Sequence, residues 1–155
     1  HADDFFLRPE QRTPARFAEP GGNLDRERLR EEVILPLRRG QTVSYRRFDC
    51  HSLTLLPPVT VAPALLSIVE GSYCLHDELA SLYDVSVCLT ISPELQHARI
   101  LARNGREMAQ RFFERWIPLE QVYFDTMKPQ TKCRFIVDSD QQNALLPQRA
   151  GAQEE

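Results

Sequence analysis

Leu65-Leu66-Ser67-Ile68-Val69-Glu70-Gly71 is the stretch on which the fold turns. A short apolar run stops abruptly at an acid and a glycine, without the alternation of a half-wet strand. Runs of this kind belong to strands covered on both faces, as in parallel sheets. The segment is therefore expected to be a buried strand, with Glu70 just past its carboxyl end. Asp84 to Ile91, apolar at Val85, Val87, Leu89 and Ile91, reads as another strand. Ile68–Val69 and Val87–Leu89 are expected at the centre of the sheet.

Outward from these strands the pattern turns helical. Ser92-Pro93 starts a helix, serine as cap and proline in the first turn. That helix is expected to reach about Arg103, where Asn104-Gly105 breaks it. A further helix runs from Arg106 to Trp116 and continues past Pro118 towards Met127. Arg134 to Val137 reads as a last strand, and the tail from Gln141 is expected to fray. Upstream, a helix from about Leu24 to Arg39 is capped by Asn23 or Asp25 and ended by Gly40. Leu29, Val33 and Leu37 would line its apolar face, with Arg26, Glu27, Arg30 and Glu31 in water. Pro36 should end or kink it. Val43 to His51 reads as extended. Arg8 to Gly22, with three prolines and a Gly21-Gly22 pair, has loop chemistry. His1-Ala2-Asp3-Asp4-Phe5-Phe6-Leu7 looks like the end of a buried strand. Strands alternating with helices predict an α/β domain with a mainly parallel sheet.

Composition narrows the function. The chain has 155 residues, enough for one compact domain, and a net charge of -3 from 19 basic and 22 acidic residues. Nucleic acid is not an expected partner, because such domains show a net basic face. No apolar run approaches the roughly 20 residues that span a bilayer, so no membrane partner is expected. Cys50, Cys74, Cys88 and Cys133 stand singly, without zinc-ligand spacing. They read as reduced thiols of a cytoplasmic protein.

Three groups of residues carry candidate chemistry. Asp3, Asp4 and Glu70 sit where parallel sheets bind ligands, beyond the strand ends. Carboxylates there suit proton removal from a hydroxyl and magnesium binding, or are merely caps and solvated loop residues. Arg99 and Arg103 share a helix face one turn apart, and Arg106 follows the Asn104-Gly105 joint. Guanidinium groups beside a joint can close over phosphates, or form a solvated face pairing with Glu94 or Glu107. Tyr45, Phe48, Asp49 and His51 mix aromatic and polar groups that could hold a planar base and a ribose. The alternative is an edge strand with its aromatics in the core.

In order and spacing, these segments resemble the uridine kinases and their small bacterial relatives. Asp3-Asp4-Phe5-Phe6 is similar to the family's Asp-x-Phe-aromatic segment, and Ile68-Val69-Glu70-Gly71-Ser72-Tyr73 to its strand-Glu-Gly motif. Arg99-Ile100-Leu101-Ala102-Arg103-Asn104-Gly105 resembles the start of its lid. Glu114-Arg115-Trp116-Ile117-Pro118, with Glu120 and Tyr123-Phe124, resembles its helix pair. The resemblance spans about residues 1 to 138. It implies a P-loop NTPase-like sheet flanked by helices over residues 1–140, with a lid at about 99–116 and a disordered tail at 141–155. It implies phosphoryl transfer from ATP, with Mg2+, to a nucleoside hydroxyl, and allows a homo-oligomer. Asp3 would be the base, Glu70 would help hold magnesium, and Arg99, Arg103 and Arg106 would be lid cations. Phe5, Tyr45, Phe48 and His51 would line the acceptor site.

Two departures bear on this. Tyr45 and His51 are spaced one residue differently from better-known uridine kinases, and Arg46-Arg47 adds charge. A pantothenate-kinase-like or phosphoribulokinase-like acceptor therefore stays open. The family also begins with a strand and a Gly-x-x-x-x-Gly-Lys-[Ser/Thr] loop. None of the six glycines here precedes Lys-Ser or Lys-Thr. The N-terminal strand and P-loop read as absent, so the chain by itself is expected to bind ATP poorly, or to be a non-catalytic binding remnant.

Overall fold

The computed structural model describes residues 1–140 and 144–147. It divides into two units, residues 1–83 and residues 84–155.

The first unit begins with a 3-10 turn, Ala2–Phe5, where a strand end was expected. The segment lacks a ladder: its one strand-like pairing is an isolated bridge from Phe6 to Leu24. Its apolar residues are buried all the same, at Ala2, Phe5 and Leu7. A second 3-10 turn, Pro9–Gln11, leads to helix α1, Pro14–Ala18, which Thr13 caps by accepting from the Arg16 amide. Close packing explains Gly22, because a Cβ there would meet the Arg16 carbonyl oxygen at 1.8 Å.

Asp25 caps the expected helix, its Oδ1 accepting from the Arg28 amide at 3.2 Å. The helix comes in three pieces: α2, Arg26–Leu29; a π turn, Arg30–Ile34; and α3, Leu35–Arg38. Pro36 accounts for the π turn. Proline has no N–H, and its ring crowds the carbonyl four residues back. A widened turn just before it, in which the Leu35 amide reaches the Arg30 carbonyl, makes room for the ring. The extra residue rotates the apolar face, so Ile34 joins Leu29 and Val33 in the core and Leu37 is left half-buried. Gly40, at φ 69°, follows the helix end.

Strand β1, Val43–Asp49, is present as expected, and β2, Thr54–Val61, pairs with it antiparallel. The register shifts between Arg46 and Phe48. Leu65–Val69 is not a strand, which corrects the expectation for that run. Leu65, Leu66 and Ile68 are exposed. The only sheet described in this unit is the β1–β2 pair, so among the described residues the run has no ladder partner. A short helix, α4, Asp77–Ala80, follows, with the buried His76 as its cap.

The second unit opens with β3, Val87–Thr90. Ser92 caps α5, Pro93–Arg111, and Gly105 interrupts it at φ 71°, ψ 172° where a break was expected. A π turn, Phe112–Trp116, precedes α6, Ile117–Met127, and again stands just before a proline, Pro118. Helix α7, Pro129–Lys132, was not expected, whereas β4, Phe135–Asp138, matches the last strand expected. Strand β5, Ala144–Pro147, lies within the stretch expected to fray; residues 141–143 and 148–155 lie outside the described residues.

Strand β4 pairs parallel with β3 and antiparallel with β5, in the order β3-β4-β5. Val87–Leu89 is thus an edge strand, contrary to the central position expected. Val87 and Leu89 share one face of the sheet and are exposed there, while Cys88, on the other face, is buried. In place of one mainly parallel sheet, the described residues form an antiparallel pair and a mixed three-stranded sheet. All four cysteines are free. Among the described residues no helix is long and apolar enough to cross a membrane.

Candidate functional site

The 3-10 turn at Ala2–Phe5 is the centre of the candidate site in the first unit. The Ala2 amide donates to the Glu70 carbonyl at 2.8 Å, and the Asp25 amide donates to the Phe5 carbonyl at 2.7 Å. The first bond joins the Asp3 and Glu70 segments, and the second ties the turn to the cap of α2. The Asp3 side chain is exposed. Glu70, 58% exposed, meets the ring of His1. Between the two segments lies Cys74, whose thiol is pushed up to about 12, chiefly by burial and then by the charge of Glu70. A thiol held protonated at neutral pH is a poor nucleophile, so Cys74 is packing.

Phe5 is 1% exposed and stacks on Tyr45 with ring centroids 5.1 Å apart. The Arg28 guanidinium lies over the Phe5 ring at 4.6 Å, and its Nη2 donates to the Asp4 carbonyl at 3.0 Å. The Tyr45 hydroxyl donates to Asp4 Oδ2 at 3.3 Å. Burial, and then the Asp4 charge, raises the phenol above its ordinary value. Four side chains, Asp4, Phe5, Arg28 and Tyr45, thus form one cluster beside Asp3.

Phe48 and His51 are not part of that cluster. Phe48 is buried, and the Arg12 guanidinium lies over its ring at 5.4 Å. His51 is exposed in the hairpin turn, where its amide donates to Asp49 Oδ1 at 3.1 Å. Asp49 is occupied by that turn, accepting also from the Ser52 amide and hydroxyl. Sequence reasoning missed Asp4, Arg12 and Arg28 as partners of these rings. Arg28 lies three residues past the cap, and no periodicity marks it as turning inward.

Nearby, two arginines close an ionic network. Arg16 donates to the Gly22 carbonyl at 3.0 Å and to the Leu24 carbonyl at 2.8 Å, and forks onto Glu27. Arg26 donates to Glu78 and to Glu19, each at 2.8 Å. Arg26 was expected in water but is buried, because the acids from the loop and from α4 converge on it.

In the second unit, Arg99, Arg103 and Arg106 are exposed. Arg99 Nη2 donates to the Ser139 carbonyl at 3.3 Å, and Arg103 lies over Phe112 at 5.7 Å. Arg99 and Arg103 precede the break at Gly105, and Arg106 follows it.

The fit to the implied cofactors divides. Carboxylates such as those of Asp3 and Glu70 are of the chemical type through which magnesium is commonly shared with substrate phosphates, although no group of three His, Cys, Asp or Glu gathers among the described residues. The triphosphate has no matching cradle. No glycine-rich loop ends in a lysine here, and such loops supply the backbone N–H groups that hold phosphates.

No curated protein matches the chain. The model of one family, Phosphoribulokinase / Uridine kinase family, matches residues 15–141. The match covers the capped helix, the β1–β2 hairpin, the Glu70 segment and the broken helix α5, and on that evidence the chain belongs to the Phosphoribulokinase / Uridine kinase family.

Proposed function

We propose that this chain is the acceptor-binding and lid portion of a kinase that phosphorylates a hydroxyl of a nucleoside such as uridine or cytidine. Family membership supports phosphoryl transfer of the P-loop kinase type in general. The single observation behind the finer reading is the junction of the Asp3 turn with the Glu70 segment through the Ala2–Glu70 bond. In this reading Asp3 accepts the proton of the acceptor hydroxyl. Glu70, with Asp3 near it, holds magnesium when the metal is bound; the metal would neutralise phosphate charge. Tyr45 bounds the acceptor site, Phe5 and Phe48 wall it from behind, and His51 reaches it from the hairpin turn. Arg99, Arg103 and Arg106 form the phosphate-facing side of a lid at about residues 99–116.

A second reading has a specific observation in its favour. Guanidinium groups cover a face of both Phe5 and Phe48, so neither ring offers that face to a base. This favours a related kinase, pantothenate-kinase-like or phosphoribulokinase-like, acting on another small alcohol. A screen of nucleosides against non-aromatic alcohols decides between them.

The test uses two proteins: the 155-residue chain, and a form with a strand and P-loop ahead of His1. The first is expected to show no ATP-dependent turnover, because positioning supplies most of the catalysis in phosphoryl transfer. The second is expected to phosphorylate an alcohol, and Asp3→Asn should lower its turnover by about 10²–10⁴-fold, the usual contribution of a general base. Robust turnover by the first protein, or unchanged turnover in the second after Asp3→Asn, rejects the corresponding part of the proposal.

A further inference from the structure

The turn that carries Asp3 is only four residues long. A single turn of helix does not hold its own shape, since nucleation fixes several dihedrals for one hydrogen bond. Its geometry must come from outside. Two of its restraints are the backbone bonds at its ends, Ala2 to Glu70 and Phe5 to Asp25. The middle is restrained by a side chain, with Arg28 donating to the carbonyl of Asp4, the residue after Asp3. Arg28 also lies against Phe5. Tyr45 supports the same turn as well, stacking on Phe5 and donating to the Asp4 carboxylate.

The burial of Arg28 makes its role pointed. Its side chain is 9% exposed, and Nε and Nη1 are buried without a hydrogen-bond acceptor. The nearest carboxylate oxygen, Asp25 Oδ2, is 3.8 Å from Nε and already accepts from Gln11 at 2.9 Å. Burial, and with it the charge of Arg8, lowers the guanidinium below its ordinary value despite the Glu32 and Asp25 carboxylates. An apolar side chain of similar volume often matches or exceeds a buried ionic group in stability. Stability therefore does not account for an arginine here, whereas the bond to the Asp4 carbonyl and the contact with Phe5 do.

We propose that Arg28 is a positioning residue that fixes the Asp3 turn for proton abstraction, with Tyr45 as its counterpart. The proposal rests on the reading of Asp3 as the base. Arg28 does not touch the acceptor. It acts by denying the Asp4–Phe5 peptide the freedom to rotate, and so holds the Asp3 carboxylate in one place.

The experiment is a double-mutant cycle in the P-loop-bearing form, with hydrogen exchange on the 155-residue chain. Arg28→Met is expected to lower kcat by roughly 10–100-fold, the scale of a small misplacement of a reacting group. KM for the nucleoside triphosphate should stay unchanged. In an Asp3→Asn background the same substitution should cost less than about twofold, because residues acting as a unit are not additive. Arg28→Lys keeps a charge against Phe5 and one donor for the Asp4 carbonyl, and should recover part of the loss. In the 155-residue chain, Arg28→Lys should speed amide exchange in residues 3–7 and leave β1 and β2 unaffected, so the proposal survives a failure of Arg28→Met to fold. An equal loss in both backgrounds, no loss in either, or unchanged exchange at residues 3–7 overturns the role of Arg28. Unchanged turnover in Asp3→Asn alone overturns the base itself, and the role of Arg28 with it.

Discussion

The two units use arginine in opposite ways. In the first, Arg16, Arg26 and Arg28 are largely buried and committed to carbonyls, carboxylates and a ring. In the second, Arg99, Arg103 and Arg106 are exposed and flank a break in a helix. The sequence spells all six alike. Neighbours decide the difference: acids and carbonyls converge on the first group, while Arg99 and Arg103 meet one carbonyl and one ring at an exposed surface. A guanidinium committed to its own protein holds a loop in shape, while one left in water is available to a phosphate.

That contrast breaks most readily at Arg16. Arg16→Ala leaves the Gly22 and Leu24 carbonyls and the Glu27 carboxylate without their donor. The expected loss is about 3 kcal/mol, since a buried polar group left unpaired costs about 1–3 kcal/mol. Urea unfolding with an unchanged slope measures it, and a loss below about 1 kcal/mol would erase the distinction between the two groups.

Gly105→Ala probes the other side. Gly105 has φ 71° and ψ 172°, and a Cβ there would meet nothing within 4 Å. The cost is therefore backbone strain alone, about 1–3 kcal/mol. A neutral result would mean that the break relocates freely and that the placement of Arg99 and Arg103 against Arg106 is not fixed.

His76 sharpens the comparison through pH. Burial, and then the Arg26 guanidinium, lowers its imidazole from the ordinary 6.5. The unfolded chain then binds the proton more readily than the folded one. The contribution of the neutral ring is fully present above about pH 6.5, is lost as pH falls through that value, and stops falling below the folded pKa. His76→Asn, which keeps a capping side chain, should flatten the fall of stability as pH drops below about 6.5. An unaltered slope would assign the pH dependence elsewhere.

The smallest effect is expected where the contrast predicts least. Arg103→Ala should change stability by less than about 0.5 kcal/mol, as exposed charges usually do, yet lower turnover in the P-loop-bearing form. A larger loss of stability would place Arg103 with the committed arginines.

Local chemistry was the legible part of this fold. Asp25, Ser92 and Gly105 act where their side chains, or the lack of one, predict. Strand β1 and the helical stretch over 26–38 follow the same logic. Position within a sheet was not legible. Leu65–Val69 and Val87–Leu89 looked alike, but a strand needs a neighbour to accept its hydrogen bonds, and apolar character does not say whether one is present. Strand β2 was missed because Pro57 and Pro58 argue against a central strand, although an edge tolerates them. Arg26 and Arg28 were read as solvated, or passed over, because periodicity counts apolar residues and cannot see acids arriving from elsewhere in the chain. Of the candidate site, the Asp3 and Glu70 segments were named from sequence and are joined here. Arg28 emerged only from geometry.

The β1–β2 hairpin has a further consequence, for self-association. A two-stranded sheet has two open edges, and an open edge is a template for another copy of the chain. Pro57 and Pro58 lie side by side in β2 and remove two amide donors from it. On the same strand, the Arg46 guanidinium turns back from β1 onto the Leu55 and Leu56 carbonyls. Donors are missing and acceptors are occupied along the same stretch, so an incoming strand finds few hydrogen bonds to make. The outer edge of β2, at residues 55–58, is thereby a poor template for another copy of the chain.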